Sequence, residues 1–195
     1  MILDGLFHYS LGQACPSPEK NNYVLYPVSF GDLVHYTEIG AFFVYRELMK
    51  HINKYFPDIV PYELSDIEIS YGKDEILVVS LKTKTAYKKL DPSFFDDVEL
   101  IRPFTWENVA FENKNADLPV VLFLRDSYAN ENFIGKYIAQ QFGRAIFIHY
   151  TNMKHIEEYV AKYKPDLIVF ETRDIDVFSG SAAEIPELTV TRSNF

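Results

Sequence analysis

The residues best suited to chemistry lie in the stretch LRDSYANEN, residues 124–132, where Asp126 and Ser127 follow the apolar run PVVLFL. A serine that leaves a buried strand and enters a helix exposes its hydroxyl, and the first amides of the coming helix point the same way. Such amides, reinforced by the helix dipole, hold a developing oxyanion. Asn130 and Asn132 add neutral donors within reach of that turn. The plain reading of the same residues is that Asp and Ser are ordinary helix caps. A nucleophilic serine also needs a base. Of the five histidines, His51 and His155 fall inside helical patterns, and His149 ends the run AIFIHY, where it either approaches the serine's rim or is itself capped and silent. His35, in GDLVHYTEIGAF, is the more suggestive, with Asp32 three residues before it. An Asp-x-x-His loop can direct a carboxylate to one ring nitrogen while the other faces a serine, giving an orienter, a base and a nucleophile in line. An ordinary loop pair is the bland counterpart.

The elements that must position these groups follow from periodicity. PVVLFL, AIFIHY and PDLIVFET are continuous apolar runs, suited to strands buried on both faces. Between them, ENFIGKYIAQQF carries Phe133, Ile134, Tyr137, Ile138 and Phe142 at helical spacing, with Gly143 as its C-cap. NMKHIEEYVAKY reads as a second helix capped by Asn152, and Pro165 opens the third strand. Strands alternating with helices imply parallel pairing and right-handed crossovers, so residues 119–172 read as a Rossmann-like βαβαβ segment. Ligands of such sheets bind outside the carboxyl ends of the strands, which is where Asp126 and Ser127 stand.

Upstream, HYTEIGAFFVYRELMKHINKYF is the clearest helix, with Ile39, Phe42, Phe43, Leu48, Met49, Ile52 and Phe56 in register, Thr37 as N-cap and Pro57 as terminator. Residues 11–22 read as a loop and YVLYPV at 23–28 as a short strand. Between about 60 and 115 the texture changes. IEISY and EILVVSL flank a GKD turn and read as a hairpin, and the short runs VELI and FTWENVAF follow. This part reads as an antiparallel insertion packed beside the main sheet, with Trp106 in a packing role. The tail after about 178 reads as peripheral.

The chain has 195 residues, 48% of them hydrophobic, enough for the core of one domain. Its net charge of −9 repels phosphate backbones and argues against nucleic acid as a partner. No stretch approaches the roughly 20 apolar residues of a membrane span. The start shows no secretory signal, lacking a basic segment followed by a long apolar one. Cys15 is the single cysteine, which leaves no internal disulfide and no Cys-rich zinc site. No acidic and histidine cluster has metal spacing, so no metal and no cofactor is expected. A phosphate binder at the same strand ends would want a Gly-rich loop, which 125–132 is not.

Taken together, three segments resemble a known family. HYTEIGAFFVYREL (35–48) is similar to the stretch after the catalytic His in the SGNH-like acetyltransferases of alginate and related polysaccharides. LPVVLFLRDSYANENFIGKYIAQQFGRAIFIH (118–149) resembles that family's strand, Asp-Ser motif, helix and strand. KPDLIVFETRD (164–174) resembles its "PD-(apolar)-E" strand, and ILDGLF (2–7) faintly resembles a motif at its domain start. The order is the family's, over roughly half of the chain. The resemblance implies a Ser-His-Asp acyltransferase or esterase acting on carbohydrate hydroxyls, with Ser127 as nucleophile and His35 as base. Asp32 takes the orienting role by the Asp-x-x-His spacing of the wider SGNH hydrolases. Arg125, Asn130 and Tyr36 are the candidate substrate and oxyanion contacts. The expected partners are a polysaccharide, an acyl donor and other exopolysaccharide-assembly proteins, and the expected setting is the cell envelope.

The expected architecture is therefore α/β: a Rossmann-like or flavodoxin-like three-layer sandwich of the SGNH hydrolase type. It has a mainly parallel sheet and a small antiparallel insertion at about 60–115, all in one domain over 1–195. Departures mark the front of the chain. Leu33 stands where the family has its Asp, Tyr36 replaces the Trp after the His, and Arg125 precedes Asp-Ser where classical SGNH enzymes have Gly. The stretch before His35 is also short for the family, as an N-terminal truncation would leave it. These departures support a second reading, a catalytically degenerate domain that binds glycan or a partner protein.

Overall fold

The computed structural model describes residues 38–71, 77–98, 108–115 and 117–171. The expected strand at 23–28, the Thr37 cap, Trp106 and the tail after about 178 lie outside these residues. The described residues cluster into two compact units: 87 to 130 with 142 to 171, and 38 to 86 with 131 to 141.

The first unit is a five-stranded sheet. Strand β3 is Tyr87–Lys89, β4 is Val109–Asn113, β5 is Val120–Arg125, β6 is Arg144–His149 and β7 is Leu167–Phe170, in the spatial order β3-β4-β6-β5-β7. The runs read as buried strands are so: β5 and β6 are buried at every position but the first. One face of the sheet carries Ala110, Leu122, Leu124, Ile146 and Ile148, which pack with Ile156, Tyr159 and Tyr163. The last three lie on helix α3, Ile156–Tyr163, at the spacing that places them on one stripe. The opposite face stacks Phe123 on Phe147, ring centroids 5.1 Å apart, with Phe111 edge-on to Phe147 at 6.1 Å. Burial of these apolar groups is the main stabilising term. Each residue of the edge strand β3 is exposed, and Lys88 and Lys89 are charges that discourage pairing with another chain.

The expected three-layer, mainly parallel Rossmann-like or flavodoxin-like sandwich is overturned by this sheet. β5 pairs in parallel with β6 and with β7, but β4 pairs antiparallel with both β6 and β3. The sheet is mixed because VAFEN and YKK, read as part of an insertion beside the sheet, extend it from the edge of β6. Alternating and short apolar runs show that a segment is a strand without showing which strand it joins.

In the second unit, helix α1 spans Glu38–Asn53 and buries Ile39, Phe42, Tyr45, Met49 and Ile52. Phe43, Leu48 and Phe56, expected in the same stripe, are only half-buried. Strands β1, Ile67–Tyr71, and β2, Leu77–Leu81, form a separate two-stranded antiparallel sheet where the sequence placed a hairpin. It is tied to the start of α1: the Glu38 carboxylate accepts from the Val79 amide at 2.6 Å, and Lys136 Nζ bridges Glu38 and the Val79 carbonyl at 3.0 and 2.9 Å. The helix expected over 131–142 is α-helical only as α2, Lys136–Gln141. The preceding segment Glu131–Gly135 is kinked, with Phe133 leaving helical geometry at φ −100° and ψ −109°. No helix among the described residues is long and apolar enough to cross a membrane.

Candidate functional site

Parallel strands β6, β5 and β7 end side by side, and the polar residues at their ends form the candidate site. Ladder partners Arg125 and His149 close β5 and β6, and Leu124 faces Phe170 at the end of β7. Asp126, Ser127 and Glu171 are the residues just beyond. Asn108 reaches the same rim because β4 runs the other way, so that its beginning meets the ends of its neighbours.

Ser127 is half-buried and opens a single 3-10 turn, Ser127–Ala129. The turn is braced on both sides. Asp126, extended and 3% exposed, accepts the Tyr128 amide on its carboxylate at 2.8 Å, and Asn130 Nδ2 donates to the Ser127 carbonyl at 2.9 Å. The structure therefore revises how Ser127 is held. No α-helix begins at the serine, since α2 starts at Lys136, so a helix dipole is not what acts at this turn. The Tyr128 amide is already taken by Asp126. Asn130, expected as an oxyanion donor, uses an amide hydrogen to hold the turn.

Arg125, expected as a substrate contact, is fully buried and donates to the Asp126 carbonyl at 3.0 Å. Glu171, the residue after β7, donates its amide to the Leu124 carbonyl at 2.8 Å and accepts the Asp126 amide on Oε2 at 3.2 Å. Its carboxyl is held well above the ordinary 4.5, first by burial and then by the neighbouring Asp126 charge, against which Arg125 acts in the opposite sense. The sequence contained Glu171 only as the last letter of the "PD-(apolar)-E" resemblance, and its pairing with Asp126 spans 45 positions.

His149 is 9% exposed and caps the 3-10 segment Tyr150–His155, inside which lies Asn152, expected as the cap of the following helix; the residue before α3 is instead His155. Its Nδ1 meets Thr151 Oγ1 at 2.8 Å, and its amide donates to Asn108 Oδ1 at 3.0 Å. His35, Asp32 and Tyr36 lie outside the described residues, as does the side chain of Asn132. Among the described residues no His, Cys, Asp and Glu side chains gather in a group able to hold a metal ion.

No family model matches the chain. No curated protein matches it in sequence either, so no link to the SGNH or alginate-type enzymes is shown that way. Solved structures do resemble it. PatB1 of Bacillus cereus with a sulfonyl adduct aligns over 77% of this chain and 62% of its own, with a TM-score of 0.55 at 15% identity. Another structure of Bacillus cereus PatB1 gives a TM-score of 0.53 at 16% identity, over 77% of this chain and 63% of that one. A DHHW family protein from Eubacterium siraeum gives 0.50 at 12% identity, over 70% of this chain and 56% of that one. The chain thus spans about three-fifths of the length of these structures, and at such identities the likeness is one of fold.

Proposed function

We propose that the protein is a serine-dependent acyl-transfer enzyme, an O-acetyltransferase or acetylesterase that acts on polysaccharide hydroxyls. The observation that carries this reading is the Ser127 turn, clamped by Asp126 and Asn130 at the carboxyl ends of β6, β5 and β7. A sulfonyl adduct is what a nucleophilic side chain gives on displacing a leaving group from sulfur, and a structure of similar fold carries one. In the proposed reaction Ser127 Oγ attacks the acetyl carbonyl carbon while His35, oriented by Asp32, takes the hydroxyl proton. The tetrahedral adduct expels the donor's alcohol, which leaves with that proton. The acetyl-serine is then attacked by a sugar hydroxyl or by water, whose proton passes to His35 and on to the departing Ser127 oxygen.

The test is turnover of an acetyl ester by the purified chain. Ser127→Ala is expected to lower kcat on the order of 10⁴-fold or more and to abolish labelling by a sulfonyl fluoride, with unfolding unchanged. A wild-type protein that neither hydrolyses the ester nor takes the label would sink the proposal. Leu33, at the family's Asp position, favours a second reading, a glycan-binding domain without turnover. That reading predicts glycan binding unaffected by Ser127→Ala.

A further inference from the structure

One backbone donor at the end of β5 needs a partner once the strand stops. The ladder of β5 with β7 ends at Leu124 and its ladder with β6 ends at Arg125, so the Asp126 amide lies beyond both. A buried amide in that position needs an acceptor. The acceptor is a side chain, Glu171 Oε2 at 3.2 Å. The same residue continues the β5–β7 contact through its own amide, which donates to Leu124 at 2.8 Å. Burial and the neighbouring Asp126 charge hold that carboxyl toward its protonated form. One carboxyl thus grips Asp126 by accepting from its amide and, when protonated, can also donate toward its side chain. Asp126 in turn holds Tyr128 and shapes the turn at Ser127.

Resting on the reading of Ser127 as nucleophile, we propose that Glu171 is a positioning residue of the site: it clasps Asp126 from the end of β7 and so fixes the aim of the Ser127 hydroxyl. The grip needs one donor and one acceptor on the same planar group. A protonated carboxyl has both; a carboxylate has only acceptors. Among the described residues, the charged groups that face Glu171 are Asp126, just beyond β5, and Arg125, the last residue of that strand. The first favours the neutral form and the second opposes it, and burial sides with the first.

Glutamine is the discriminating substitution, because a carboxamide keeps one donor and one acceptor at all pH values. Kinetics of acetyl-ester turnover and the rate of sulfonyl-fluoride labelling are measured for wild type, Glu171→Gln, Glu171→Leu and Ser127→Ala, with thermal unfolding as the check on folding. Glu171→Leu is expected to lower kcat about a hundredfold, the scale of a small misplacement of a reacting group, with KM unchanged. Glu171→Gln is expected to restore most of that loss and to extend turnover to higher pH than wild type sustains. A folded Glu171→Leu protein with wild-type kcat overturns the inference and leaves the nucleophile standing. So does a Glu171→Gln protein as slow as Glu171→Leu. If Glu171→Leu does not fold, the alkaline limb of Glu171→Gln decides, and a limb identical to wild type overturns the inference. Absence of Ser127-dependent turnover and labelling in the wild type overturns both this inference and the reading it rests on.

Discussion

Two buried tyrosines of the second unit separate a hydroxyl that is used from one that is not. Tyr45 and Tyr137 are both fully buried, with ring centroids 5.0 Å apart, and burial raises both phenols well above the ordinary 10.0. The Tyr45 hydroxyl donates to Gln141 Oε1 at 2.6 Å and accepts the Tyr62 amide at 3.0 Å. Among the described residues no hydrogen-bond partner meets the Tyr137 hydroxyl. Tyr45→Phe leaves two groups without their partner and is expected to cost roughly 1–3 kcal/mol. Tyr137→Phe removes a desolvated, unsatisfied group and is expected to be neutral or to stabilise by up to about 1 kcal/mol. Urea unfolding of the two variants checks the contrast, and equal losses would refute it. At this scale the sequence was half legible. Ser127 stood out because the polar residues that follow six apolar ones mark a strand's end. Glu171, which holds Asp126 from 45 positions away, did not, because a bond between residues so far apart leaves no local spacing to read.

Elements were legible where one period runs unbroken. The three parallel strands are continuous apolar stretches, α1 keeps a helical stripe, and the hairpin of β1 and β2 announces its turn. Gly143 shows where the pattern gave the right residue for another reason. It reads as a helix cap, but a Cβ added there would lie 2.3 Å from the Leu118 carbonyl oxygen. Its amide donates to Pro119 and its carbonyl accepts from Asn113, both at 2.9 Å, so the glycine lets backbones close together at the start of β6. Gly143→Ala must push backbone aside and is expected to cost about 1–3 kcal/mol, read as a drop in the unfolding midpoint. A variant as stable as wild type would contradict the close approach. The broken helix after Ser127 was not legible, because Phe133 and Ile134 fit a helical stripe whether or not the backbone kinks beneath them.

For the whole molecule, one titration and the net charge act in the same direction. Folded Glu171 keeps its proton to a higher pH than it does in the unfolded chain, where the ordinary value is 4.5. As pH rises above that value the unfolded chain releases the proton first, so stability is full below it and is lost as pH climbs through the raised value. The net charge of −9 adds self-repulsion over the same range. Tm is therefore expected to fall from mildly acidic to alkaline pH, and Glu171→Gln to flatten the slope. Parallel profiles for the two proteins would assign the decline to net charge alone.

The reversed direction of β4 has a practical consequence for redesign. In a sheet of like-directed strands, each neighbour could offer the rim at the strand ends only the residues after its last rung. Here a strand offers the residue before its first rung, Asn108, whose oxygen already meets the chain at His149. A substitution at Asn108 would therefore reach that rim with the ladder of β4 intact behind it, at the cost of the bond that now satisfies the His149 amide.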